Sequence, residues 1–136
     1  MLEFPDVAFS EWVLFLKTIL IVDDSAFMRS LIKRNISDLD LEVVGEADDG
    51  EVAVKKYIEL SPDIVTLDLA MVDHDGVEAL KKIMNHDPKA KVIVVSSITD
   101  QEAMVNVVTA LGARAVLNKP IVKDALVKAI EAVLAE

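Results

Sequence analysis

Asp23, Asp24, Asp68, Ser96 and Lys119 are the residues whose types and positions in this chain can do chemistry together. Each closes a short apolar run. Ile19–Val22 stops at Asp23-Asp24, Ile64–Leu67 at Asp68, Val92–Val95 at Ser96-Ser97, and Ala115–Leu117 at Asn118-Lys119-Pro120. If the runs are neighbouring parallel strands, three carboxylates, a hydroxyl and an ammonium meet at one sheet edge. Two unit charges 4 Å apart repel by about 4 kcal/mol at an effective dielectric of about 20, so such carboxylates take up a proton or hold a cation. An all-oxygen donor set with no Cys or His nearby suits Mg2+, which completes its octahedron with phosphate oxygens. Asp68 is then the candidate nucleophile toward a phosphoryl donor. Asp24 is the candidate direct metal ligand, Asp23 one acting mostly through water, and the backbone carbonyl of Ala70 a further ligand. Lys119 and Ser96 are placed to stabilise the phosphoryl oxygens during in-line transfer.

The intervening segments read as the elements that would position these groups. Ser25 is a helix cap, followed by Phe27, Leu31, Ile32 and Ile36 at core-facing helical spacing. Glu42–Ala47 reads as a second strand, more polar and so nearer an edge. Val52, Ala53, Tyr57 and Leu60 mark a helix ended by Ser61-Pro62. Val77, Leu80 and Met84 mark the next, and Ala103, Met104, Val107, Val108 and Leu111 another, stopped by Gly112. Ala125, Leu126, Ala129, Ile130, Val133 and Leu134 give the clearest amphipathic stripe. Five alternations of strand and helix predict an α/β, flavodoxin-like, doubly wound parallel sheet of order 2-1-3-4-5 with helices on both faces. The ligand crevice of that order lies where strands 1 and 3 diverge, at Asp23-Asp24 and Asp68.

Composition narrows the classes. With 136 residues, 53% of them hydrophobic, the chain is one domain with a substantial core. Its 24 acidic against 14 basic residues give a net charge of -10, which repels nucleic acid and anionic membranes and favours cations or basic partners. No cysteine is present, which removes disulfide and thiol chemistry. His74 and His86 lack ligand spacing and read as surface residues, Lys55-Lys56 and Lys81-Lys82 as solvated helix faces, and the methionines as core filler.

Residues 1–17 are expected to form an N-terminal extension to a domain spanning 18–136. Trp12–Leu16 is too short to span a bilayer, which takes about 20 residues, and Glu3, Asp6 and Glu11 do not suit a secretory signal. A soluble cytoplasmic protein is expected. Phe9, Trp12, Val13 and Leu16 can share one face of a short helix packing on its own domain or on a second copy, giving a monomer or weak dimer. Otherwise the segment is a tail or a start placed too early.

Val22-Asp23-Asp24-Ser25, Asp68-x-x-Met71-x-x-x-x-Gly76, Ser96-Ser97 and Lys119-Pro120, in that order, resemble the receiver domain of two-component response regulators. Ser25-Ala26-Phe27-Met28-Arg29 and Pro62-Asp63-Ile64-Val65-Thr66 are similar to the CheY-like single-domain chemotaxis subtype. The resemblance covers about residues 17–136. It implies a signalling switch rather than an enzyme acting on an external substrate: a partner histidine kinase donates phosphoryl to Asp68 with Mg2+ bound, and the domain catalyses only its own phosphorylation and dephosphorylation. It also implies a cis peptide between Lys119 and Pro120, and a readout surface around residues 100–130 for a downstream protein such as a motor switch or signalling enzyme. A phosphorelay intermediate, a phosphate sink and a phosphorylation-independent interaction domain are the alternatives. The chain departs from the family pattern in three ways: Val72 replaces a proline after Met71, Val116 replaces a switching aromatic residue, and apolar Ala70 and Ile98 stand where, by the resemblance, residues flank the path of the hydrolytic water, which predicts altered, slow autodephosphorylation. Two rival classes fit less well. A haloacid-dehalogenase-type phosphatase needs Asp-x-Asp on the first strand, and a flavodoxin-like electron carrier needs a less acidic loop after it to cradle a flavin phosphate.

Overall fold

The structure is a computed structural model that describes residues 16–71, 75–97 and 102–136. The expectations placed on residues 1–15, Val72, His74 and Ile98 lie outside the described residues. Five strands, β1 (Lys17–Val22), β2 (Leu41–Ala47), β3 (Ile64–Leu67), β4 (Val92–Ser96) and β5 (Ala115–Asn118), alternate with α1 (Ala26–Asn35), α2 (Gly50–Leu60), α3 (Asp75–His86), α4 (Glu102–Ala110) and α5 (Lys123–Leu134). The sheet order is β2-β1-β3-β4-β5 and every pairing is parallel. Five parallel strands in 2-1-3-4-5 order are thus found as expected, with the polar strand β2 at one edge.

Side-chain alternation along the central strands divides the core into two layers. Leu20, Val22, Val65, Leu67, Val92 and Val94 pack with Ala53, Tyr57, Leu80, Ile83 and Val108 of α2, α3 and α4. Ile19, Ile21, Ile64, Ile93 and Val95 pack with Ile32, Ile36, Leu126, Ile130 and Val133 of α1 and α5. Thr66 lies in register with Ile21 and Ile93, so its side chain faces this second layer. Between Ile19 and Leu20 the register with β2 shifts, so that Val43 and Gly45 are the consecutive partners. The residue between them, Val44, is the extra one of a bulge.

Local chemistry sets the helix ends. Ser25 caps α1 through a bond accepted from the Met28 amide (3.2 Å), and Lys33 and Arg34 oppose the dipole in its last turn. Asp49 caps α2 through the Val52 amide (2.8 Å). Ser61 ends that helix at φ 44°, just before Pro62. Gly112, at φ 112°, follows α4.

Helical spacing placed three large apolar residues wrongly: Phe27, Leu60 and Val107, the last 46% exposed on α4 beside buried Val108. Phe27 is 75% exposed, because it lies in the first turn of α1 and the core-facing contacts of that helix begin at Ile32. Leu60, the last residue of α2, is 40% exposed for the same kind of reason at the other end of a helix. Lys17 belongs to β1, one residue inside the segment assigned to the extension.

Candidate functional site

Backbone register brings the acidic groups together before any side chain is considered. Val22 is the partner of Leu67, and the Asp68 amide donates to the Val22 carbonyl at 3.0 Å. The Asp23 amide donates to the Ala47 carbonyl, also at 3.0 Å. Asp23 and Asp68 therefore leave adjacent strands at the same level, with the acidic turn Asp23-Asp24 above them. A ligand oxygen from each of Asp23, Asp24 and Asp68 falls within 4.8 Å of the others. Asp23 and Asp68 are buried and Asp24 is exposed. This is a hard-oxygen donor set of the kind Mg2+ takes, with an open side toward solvent.

Lys119 reaches this cluster from 51 to 96 residues away. Its Nζ donates to Asp23 Oδ2 at 2.9 Å and to Asp68 Oδ2 at 3.3 Å. Burial pulls the ammonium toward its neutral form. The bond to Asp23 and the charges of Asp68 and Asp23 outweigh that, and its pKa ends above the ordinary 10.5. The Lys119-Pro120 peptide is cis, as the resemblance implied. Ser96 closes β4, is buried, and pairs with Asn118 next to Lys119, whose amide lies 3.4 Å from the Ser96 carbonyl. Ala70 is exposed in the loop after Asp68, and its amide donates to Asp68 Oδ1 at 3.0 Å. Asp23, Asp24, Asp68 and Lys119 thus form one contact cluster, with Ser96 and Ala70 on its rim.

Three residues support the site: Gly76, which the sequence reading holds only as part of the family motif, and Arg29 and Glu46, to which it gives no role in the site. A Cβ on Gly76 would stand 2.4 Å from the Asp68 carbonyl oxygen, so α3 starts directly against the backbone that carries Asp68. Arg29 donates through Nη1 to the Asp23 carbonyl (2.6 Å) and through Nε to Glu46 Oε1 (3.0 Å). Gly76 carried a signal in its fixed spacing from Asp68, and Arg29 stood in the quoted stretch Ser25–Arg29, but nothing in the sequence paired Arg29 with Glu46, 17 residues away.

No helix among the described residues is long and apolar enough to cross a membrane. The sequence profile of the response regulator receiver domain matches residues 19–131. The chain is 49% identical over 113 residues to the chemotaxis protein CheY of Listeria monocytogenes, covering 83% of this chain and 94% of that one. It is 44% identical over 117 residues to CheY of Thermotoga maritima, covering 86% and 97%. Among solved structures, the response regulator domain of Thermotoga maritima CheB superposes with a TM-score of 0.82 at 39% identity, covering 89% of this chain and 98% of that one. CheY in the CheX-CheY-BeF3-Mg2+ complex of Borrelia burgdorferi gives 0.84 at 32% identity, covering 88% and 90%. With the match running from the first core strand into the last helix, the chain belongs to the response regulator receiver domain family, as a CheY-like phosphorylation-activated signalling switch.

Proposed function

We propose that Asp68 accepts a phosphoryl group from a partner histidine kinase and that the phosphorylated domain then binds a downstream protein, in chemotaxis or a related two-component pathway in the cytoplasm. The observation that carries this reading is the junction of Asp23, Asp24 and Asp68 within 4.8 Å, bridged on one side by Lys119. Asp23, Asp24, Asp68 and the carbonyl of Ala70 would hold Mg2+. When bound, the metal supplies charge neutralisation between the carboxylates and the incoming phosphoryl oxygens. One carboxylate oxygen of Asp68 attacks phosphorus in line, forming an aspartyl phosphate as the donor's nitrogen–phosphorus bond breaks. Lys119 turns from the two carboxylates toward the new phosphoryl group, and the Ser96 hydroxyl donates to another of its oxygens.

Reversing a switch from 1:99 to 99:1 takes about 5.5 kcal/mol of differential stabilisation, within reach of two charge-assisted bonds made only after phosphorylation. The CheX complex of the Borrelia protein supports partner binding by a domain of this shape. Half-buried Val116 of β5 packs against the larger core layer. Incubation with acetyl phosphate and Mg2+, followed by intact mass, tests the proposal. One added phosphoryl group is expected, lost without metal and lost in Asp68→Asn. An unmodified wild-type mass, or modification that survives Asp68→Asn, would overturn it.

A further inference from the structure

Arg29 and Glu46 lie outside the reacting groups, yet they bind the peptide that joins two of the proposed metal ligands. The Asp23 carbonyl belongs to the Asp23–Asp24 peptide, and Arg29 Nη1 donates to it at 2.6 Å. Asp24 is exposed, so the aim of its carboxylate rests on the orientation of that peptide. The same guanidinium is fixed from behind by Glu46, whose Oε1 accepts Arg29 Nε at 3.0 Å. Glu46 is itself held: its Oε2 accepts Lys33 Nζ at 2.9 Å, and its carbonyl accepts from Lys56 Nζ. It stands on β2 immediately before Ala47, whose carbonyl receives the Asp23 amide. The peptide groups on both sides of Asp23 are therefore tied to one stretch of β2, one directly and one through Arg29. A planar guanidinium suits this work, because its fork can hold a carboxylate and a carbonyl at once without rotating. Pairing with Glu46 also keeps the Arg29 cation committed elsewhere, beside an acidic cluster that must receive a metal.

We propose that Arg29, oriented by Glu46, is the positioning residue that sets the Asp23–Asp24 peptide, and through it the Mg2+ affinity of the site; this rests on the reading of Asp23, Asp24 and Asp68 as the metal ligands. The test is a Mg2+ titration without any phosphodonor, followed through backbone amide NMR shifts at positions 23, 24 and 68. Arg29→Ala and Glu46→Ala are each expected to weaken Mg2+ binding by about 10-fold, the scale seen for residues that orient a metal's ligands. The double variant should be no weaker than either single one, because both act on one peptide. Arg29→Lys, which keeps the charge but not the fork, should fall between. Lys33→Ala removes the other partner of Glu46 without touching Asp23, and should stay within about twofold of the unaltered protein. Arg29→Ala and Glu46→Ala affinities no different from Lys33→Ala, or an additive double variant, would overturn the positioning role alone. No Mg2+ response in the unaltered protein would instead overturn the assignment of the metal ligands.

Discussion

Lys119 is the residue on which the resting site depends electrostatically. It lies between Asp23 and Asp68, two carboxylates that are almost wholly buried and that no other described ion pair neutralises. Lys119→Ala should destabilise the protein by about 3 kcal/mol at neutral pH, since removing one member of a buried pair strands the other's charge. Added Mg2+ should restore most of that loss, as measured by urea unfolding with and without metal. Because the folded pKa of Lys119 is raised, its contribution is fully present below the ordinary lysine pKa of 10.5 and fades only as strongly alkaline pH is reached. Thr66 is the opposite case. Its Oγ1 is a buried side-chain atom without a hydrogen-bond partner among the described residues, set among isoleucines. Thr66→Val should raise stability by about 1 kcal/mol, read as a higher urea midpoint, because it removes an unsatisfied polar atom at nearly constant shape. Ala70 and Ile98 belong to the same scale. Replacing both with polar residues should shorten the phosphoryl lifetime, and an unchanged lifetime would dismiss their apolar character as the cause.

At the level of elements, the contact between α2 and α3 carries the clearest prediction. Tyr57 of α2 donates its hydroxyl to Asp87 Oδ2, just beyond α3, at 2.8 Å, and meets His86 edge-on. The bond from Tyr57 and another from the Lys89 amide hold Asp87 below the usual carboxylate range, while burial and Asp87 raise Tyr57. A depressed carboxylate pKa stabilises the fold above its unfolded value and loses that contribution as pH falls through the folded one. Tyr57→Phe should therefore cost about 1 kcal/mol at neutral pH, and the deficit should shrink in acid. Gly76→Ala should cost more, about 2–3 kcal/mol, since the new methyl group meets backbone rather than a yielding side chain. The elements themselves were legible because parallel central strands are apolar on both faces, and each run here stops at a polar residue. The ends of helices were not. Periodicity identifies which residues of a helix share a face, but not which of them overlie the sheet: Phe27 and Leu60 fall at helix ends, and Val107 lies within α4 yet is exposed. Arg29 and Glu46 were illegible for a different reason: their contact depends on how α1 crosses β2, and ordinary surface charges announce nothing of that in sequence.

For the whole molecule, the net charge of -10 is not spread indifferently. Three of its carboxylates converge at one sheet edge, where their mutual repulsion is only partly answered by Lys119. A divalent cation binding there stabilises the folded state by linkage, by about 2.7 kcal/mol at a hundredfold excess over its dissociation constant. The thermal midpoint should rise by several degrees in Mg2+, little in Na+ of equal ionic strength, and much less in Asp24→Asn. The candidate site was legible at this scale because its residues come from strand ends, whose relative positions follow from sheet order alone. The central proposal is phosphoryl transfer to the carboxylate of Asp68. Borohydride reduction of the freshly phosphorylated protein converts an acyl phosphate to an alcohol, which peptide mapping then locates. Homoserine at position 68 is the predicted result; reduction at any other residue, or none in a protein shown to carry phosphoryl, would contradict it.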